Sequence, residues 1–299
     1  MASFKAYIFS WIIWWTRKGI FQSPEALNKQ IKIRRMTQDH RPPEPLRTRL
    51  IIEQREVGGF PVYEVSPKSE TPNKARILYL HGGAFVFEIS PLHWELVATL
   101  AERLQAAVTL PIYPLGPEYK LKDMYDMLQP LHDEMASSSD DSPFFVMGDS
   151  AGGTMTLVLT QQALKANTPI AKRLVAITPS SDATLTNPEL YEAAKIDPWL
   201  DVPGCDEAMK LVCGDWERDD SRVSPVYGDL DQLPPMMVFA GELDLLTPDT
   251  RLFVGKVREK KREVVLIEGK RMMHVWPLLP IPEGAVAVDQ IVQWLEQAV

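Results

Sequence analysis

Very little in this chain could tie it together covalently. Its 299 residues include two cysteines, Cys205 and Cys213, both in a stretch that reads as helix (CDEAMKLVC). The helical rise between them is about 12 Å, further than a disulfide spans. Two free thiols are therefore expected, as in a reducing, cytoplasmic setting. Neither has a basic neighbour in sequence that would make it a nucleophile. Positive charge is also short: 32 Lys and Arg against 40 Asp and Glu leave a net charge of -8. With no visible basic cluster, that excludes nucleic acid as a partner. No apolar run reaches the roughly twenty residues that cross a bilayer. Internal repeats and low-complexity tracts are absent.

One short apolar run does stand out. AYIFSWIIWW, between Lys5 and Arg17, is too short to span and is not followed by a small-x-small cleavage site. Phe4, Tyr7, Ile8, Trp11, Ile12 and Trp15 fall on one helical stripe. Such a face must bury against something. Covering the core as a cap helix is the leading expectation, a membrane-surface helix the second, a targeting segment the third. Trp14, Phe9 and Ile13 lie off the stripe and suit a membrane surface. The aromatics also permit a homodimer.

Residues 21–49, polar and basic and then Pro-rich, read as a linker, so that 1–49 forms N-terminal cap helices plus linker and 50–299 the body. Leu50–Glu56 and Val62–Ser66 suggest an initial hairpin around Gly58 and Gly59. Short apolar runs follow at Ile77–Leu80, Val108–Ile112, Phe144–Met147, Leu174–Thr178, Met236–Ala240 and Val264–Ile267. Helical stretches lie between them at Leu92–Gln105, Lys122–Met135 and Gly152–Ala166, and a final helix at Ala285–Ala298. SSSDD at 137–141 reads as a loop. Alternating strands and helices predict an α/β fold with a mostly parallel sheet flanked by helices, whose working loops sit at the carboxyl ends of the strands. The connection across residues 180–233 is far longer than a normal crossover and reads as a cap insertion over that edge.

The strongest chemical signal is Gly148-Asp149-Ser150-Ala151-Gly152, between an apolar strand (FFVM) and a helix (GTMTLVLTQQAL). A G-x-S-x-G sequence in that context places Ser150 on a sharp strand-to-helix turn as a nucleophile; in isolation it would read as a glycine-rich helix cap. His81-Gly82-Gly83-Ala84 follows the strand ILYL. The open backbone of Gly82 and Gly83, with Ala151 after the nucleophile, would hold an oxyanion. His81 sits on that loop and suits orienting it. Of the other histidines, His40 lies in the linker and His93 and His132 lie in helices. His274, reached from the last strand through EGKRMM, stands at the same sheet edge as Ser150 and suits a general base. Asp244, just past MMVFA, is the expected acid. Glu242 competes with it, as does Asp249, which reads as a helix cap.

LYLHGGAF, YPLGPEY, GDSAGG, SPVYGDLDQLPP, GELDLL and HVWP together resemble the hormone-sensitive-lipase-like branch of the α/β-hydrolases, including bacterial carboxylesterases. The resemblance runs from about residue 76 to the end. It implies an α/β-hydrolase fold, Ser150, Asp244 and His274 as triad, and Gly82, Gly83 and Ala151 as oxyanion donors. It further implies a cap from the N-terminal helices and the long insertion, no cofactor or metal, and a small-molecule ester as substrate. Two positions depart from it: Ala84 stands where many members have a third glycine, and Glu88 where many have glycine. Two-step acyl transfer follows, with activity falling as His274 protonates at or below about pH 6.5. Trp11, Trp15, Trp199 and Leu200 are the expected apolar cap residues. An amidase or peptidase could use the same triad, and a capped small-molecule-binding protein could use the same fold.

Overall fold

The computed structural model describes residues 2–69, 74–138 and 142–299. Its centre is one eight-stranded sheet in the order β1-β2-β4-β3-β5-β6-β7-β8. The strands are β1 (Leu50–Val57), β2 (Phe60–Pro67), β3 (Ala75–Leu80), β4 (Ala106–Pro111), β5 (Phe144–Asp149), β6 (Arg173–Ile177), β7 (Met236–Leu243) and β8 (Val264–Met273). β1 and β2 form the expected hairpin, and β2 also runs antiparallel to β4; every other pairing is parallel. The helices are α1 (Phe4–Ile13), α2 (Gly19–Phe21), α3 (Pro24–Thr37), α4 (Leu46–Arg49), α5 (Pro91–Leu104), α6 (Leu121–Ala136), α7 (Ala151–Ala166), α8 (Glu189–Ile196), α9 (Val202–Val212), α10 (Thr247–Glu259) and α11 (Pro282–Glu296). Of the loop expected at 137–141, residues 139–141 lie outside the described residues.

The central strands are apolar on both faces because both faces are covered. Leu78, Val146, Ala176 and Val238 pack into one core layer with Leu128 of α6, Leu157 of α7 and Phe253 of α10. Their neighbours Ile77, Phe145, Val175 and Phe239 pack into the other, with Trp94 of α5 and Ile291 of α11. Period-two alternation thus divides side chains between two layers instead of between core and water. The carboxyl ends of β3, β5, β7 and β8 finish at one edge, where the loops carrying His81, Ser150, Asp244 and His274 begin.

Four expectations about local structure are corrected. The segment taken as a linker contains α3, started by Ser23, whose hydroxyl accepts from the Ala26 N–H, and by Pro24 in its first turn. Only Leu27 and Ile31 are buried on it, too sparse an apolar pattern to reveal a helix. EGKRMM is strand and not loop: Leu243 pairs with Met273 across a β-bulge near Gly241, so β8 delivers His274 directly. Asp249 is not the cap of α10 but sits buried in its first turn, accepting from Asn187 Nδ2 at 2.7 Å. Burial and the Asp182 and Glu189 charges push its carboxyl up to about 6, against the Asn187 hydrogen bond.

The fourth concerns the aromatic stripe. Ala6 and Ile13 are the buried residues of α1, while Phe4, Trp11 and Trp15 are 80%, 66% and 72% exposed. Helix α1 thus rests on the body by the narrow side that carries Ala6 and Ile13, tied to α11 where Ser3 N and Oγ donate to the Glu283 carboxylate at 2.5 and 2.9 Å. Past Ile13 the chain makes a π-helical turn, Trp14–Lys18. Buried Lys18 donates from Nζ to Ala194 O at 2.8 Å and Leu200 O at 2.6 Å, and pairs with Asp201 at 3.1 Å. Asn28 of α3 donates to Glu207 of α9 at 2.6 Å. Residues 3–37 and the 180–233 insertion are therefore packed together over the edge where the loops carrying Ser150 and His274 begin. No helix among the described residues is long and apolar enough to cross a membrane.

Candidate active site

Ser150 caps α7 with φ 52° and ψ -120°, a conformation that a residue with a Cβ rarely adopts and that surrounding structure must enforce. The enforcement is visible. Ser150 N–H donates to Ile177 O at 2.8 Å, and the turn closes against β3 so tightly that a Cβ on Gly152 would fall 1.9 Å from Leu80 O. This is why a glycine must follow two positions after the serine. The serine hydroxyl is thereby lifted off the sheet edge, above the positive end of the α7 dipole.

The three expected reactive side chains form one hydrogen-bonded chain. Ser150 Oγ lies 2.9 Å from His274 Nε2, and His274 Nδ1 lies 3.0 Å from Asp244 Oδ2. A carboxylate can only accept, so Nδ1–H donates to Asp244 and Nε2 is left to accept from the serine. Burial opposes charging His274, but the Asp244 charge and hydrogen bond outweigh it, with help from Asp197 and Asp149, and raise the imidazole above its ordinary value. Asp244 accepts in turn from Leu246 N–H at 2.9 Å. Glu242, the competing acid, is engaged by Arg271 N–H at 2.6 Å and exposed. His81 is buried, beside His93, and pushed down to about 4; its Nδ1 is 2.7 Å from Gly82 O and its ring stacks on Tyr113. It belongs to the loop's support, as the sequence suggested.

The loop expected to hold an oxyanion differs from expectation at one residue. Gly82 N–H is already taken, donating to Asp149 Oδ1 at 3.1 Å. Gly83, Ala84 and Ala151 donate to no backbone carbonyl among the described residues, so the open donors move one position along. Gly83 holds φ 130° and Ala84 φ 53°, so Ala84 accepts a left-handed strain that glycine would not feel. Asp149 is the organiser that sequence reasoning missed. Fully buried, it also accepts from Tyr79 Oη at 2.7 Å and faces His93 Nε2 at 3.1 Å. Burial disfavours its charge, but the His93 charge and hydrogen bond, with Tyr79 and His81, hold its carboxyl below the usual range. An aspartate within the G-x-S-x-G run was the available signal.

Asp197, at the end of α8, was also missed. It accepts from Trp199, Leu200 and Leu245 N–H groups at 2.6, 2.9 and 2.7 Å, linking the insertion to the loop of Asp244. Burial and the neighbouring Asp244 charge push it up to about 7. Trp199 presents its edge to His274 at 6.0 Å between centroids. Cys205 and Cys213 are free, with thiols pushed up by burial.

Ser150 opens on two spaces. The larger, about 330 Å³, is lined by His274, Gly83, Trp199, Leu278, Arg17 and Arg34 among others. The smaller, about 40 Å³, is lined by Ala151, Ala183, Leu185, Ala208, Met209 and Leu246 and is apolar. Trp199 and Leu200 line the substrate space as expected; Trp11 and Trp15 do not.

Fold and site define a class. A model of the alpha/beta hydrolase fold matches residues 77–278, and the chain belongs to that family. Within it, the chain is similar to an esterase of Acinetobacter venetianus, 28% identical over 76% of each chain. It is also similar to the carboxylesterase NlhH of Mycobacterium tuberculosis, 28% identical over 88% of each. A triacylglycerol lipase of the same organism is 27% identical over 85% of this chain, which spans 54% of that protein. Among solved structures, a candidate esterase of Staphylococcus aureus superposes with a TM-score of 0.84 at 28% identity, covering 92% of this chain and 93% of that one.

Proposed function

We propose that the chain is a carboxylic ester hydrolase working through an acyl-enzyme on Ser150. The continuous hydrogen-bonded run Ser150–His274–Asp244, at 2.9 and 3.0 Å, carries this reading. His274 Nε2 takes the hydroxyl proton as Oγ bonds to the ester carbonyl carbon. The carbonyl oxygen becomes an oxyanion facing the Gly83, Ala84 and Ala151 N–H groups. Collapse breaks the bond to the alcohol oxygen, which receives the proton from Nε2. Water then adds with His274 again as base, releasing the acid and restoring the serine. Hydrolysis of p-nitrophenyl esters from C2 to C12 by wild type and Ser150→Ala tests it. Loss of a triad nucleophile costs on the order of 10⁶ in kcat in the best-studied protease. A mutant as active as wild type would end this reading.

The α1 stripe favours a second reading, concerning where the enzyme works. Contiguous exposed aromatics of this size mark an interaction surface. Residues 1–37 carry seven Lys and Arg against one Glu in an acidic chain, and Lys5, Lys29 and Lys32 are exposed. Aromatic rings with a basic flank suit an anionic lipid surface. Cosedimentation with phosphatidylserine vesicles, reduced by Trp11→Ser with Trp15→Ser, is the expected result. A concentration-dependent dimer with no vesicle binding would reassign the stripe to self-association.

A further inference from the structure

Two arginines reach the larger substrate space without a counter-charge. Arg17 comes from the π-helical turn and Arg34 from α3. Arg35, the next residue on α3, shows the usual arrangement: its guanidinium pairs with Glu118 at 3.1 Å and donates to Gly116 O. No hydrogen bond or ion pair engages the Arg17 or Arg34 side chain among the described residues. Arg17 is pulled down by burial and then by the Arg34 charge. A desolvated guanidinium beside a second cation is costly unless an anion joins them.

The carboxylates in the same space do not supply that anion. Asp149 is held by Tyr79, Gly82 and His93. Glu88 is pushed up by burial, and the cations acting on it are Arg35 and His40. The remaining source of negative charge is the substrate.

The two spaces differ in their relation to His274. The leaving oxygen must receive its proton from His274 Nε2, so the alcohol part of the ester lies on the side that His274 lines. That is the space holding the arginines. The apolar space that His274 does not line is about 40 Å³, against the roughly 10–15 Å³ that one water needs when space is counted in the same way. It takes a short acyl chain of a few carbons.

Resting on the esterase reading, we propose that Arg17 and Arg34 form an anion subsite, and that the preferred substrate is a short-chain ester whose alcohol part carries a carboxylate or phosphate. Guanidinium groups pair with both through paired N–H donors.

The test compares acetyl release from 4-acetoxybenzoate, from 4-acetoxyphenyl phosphate, and from 4-acetoxybenzamide as the neutral match. Wild type should favour an anionic ester in kcat/KM. In the Arg17→Gln, Arg34→Gln double variant that preference ratio should fall on the order of 10- to 100-fold, mostly through KM, the span of one or two charge-assisted hydrogen bonds. Which anionic ester loses more tells carboxylate from phosphate. Lysine replacements should recover part of the ratio, and thermal melting separates misfolding from lost recognition. A wild-type ratio at or below one, or a ratio untouched by the double variant, overturns the subsite while leaving the esterase standing. If no ester is cleaved, the esterase reading fails instead. Calorimetry of 4-hydroxybenzoate with Ser150→Ala then reads the subsite alone: saturable binding abolished by the glutamines supports it, and no binding removes it.

Discussion

His93 Nε2 lies 3.1 Å from Asp149 Oδ2, and through that contact α5 grips the residue next to Ser150. The other oxygen of the same carboxylate takes Gly82 N–H and Tyr79 Oη. One buried side chain thus fixes the Gly82–Ala84 loop to the serine turn.

Asp149→Asn keeps the shape but turns an amide toward one of these donors. Leaving a buried donor unpaired costs about 1–3 kcal/mol. We expect kcat to fall about 10- to 100-fold, with KM changing less, because the loop is displaced where the oxyanion forms. Steady-state kinetics beside a thermal melt measures both effects. An unchanged kcat would mean that the loop holds its place without Asp149.

The acid limb of activity should lie above the position expected from sequence. His274 must be neutral to accept the serine proton, and its neighbours raise its pKa from 6.5. A raised value keeps the imidazole protonated to higher pH, so kcat/KM should decline as pH drops through a midpoint above 6.5. Asp244→Asn should lower that midpoint and cost roughly 10⁴ in kcat, as loss of the equivalent acid does in serine proteases. A profile flat down to pH 5 would rule out His274 as the base.

Gly152→Ala should be among the most damaging small changes in the chain. Its methyl would meet Leu80 O at 1.9 Å, and that backbone is held in β3. Overpacking of this kind costs about 3 kcal/mol, and the same clash shifts the serine turn. Chemical denaturation and esterase activity should fall together. Gly255→Ala, where an added Cβ meets nothing within 4 Å, is the control that should lose neither.

Lys18→Met removes the cation from Asp201 and the donor from Ala194 O and Leu200 O. With Lys18 buried and Asp201 partly exposed, the cost lies below the roughly 3 kcal/mol of a fully buried pair. The insertion should loosen first, since Leu200 lines the substrate space. Limited proteolysis between residues 180 and 233, with a raised KM, is the expected sign.

The three residues of the proposed triad could be picked out because each is announced by its neighbours in sequence. Ser150 has its strand and its glycines, while Asp244 and His274 follow apolar runs that end at one sheet edge. Contacts made across the fold were not. HGG does not say which N–H is spoken for, since Gly82 is claimed by a carboxylate 67 positions later. Helical periodicity located the α1 stripe, yet periodicity says which side is apolar and not what lies opposite it. The two unpaired arginines left no trace in sequence, because being unpaired is a property of three-dimensional surroundings.

The clasp between Ser3 and Glu283 spans 280 positions, which makes α1 dependent on α11, the last of the described helices. At ribosomal rates of about 5–20 residues per second, the buried side of α1, Ala6 and Ile13, waits roughly 15–60 s for its seat. Throughout that interval both faces of α1 are open to water, to chaperones and to one another on neighbouring nascent chains. Docking of α1 is thus a late event in the birth of the molecule, and a chain truncated before α11 would expose more of its aromatic helix than the finished one does.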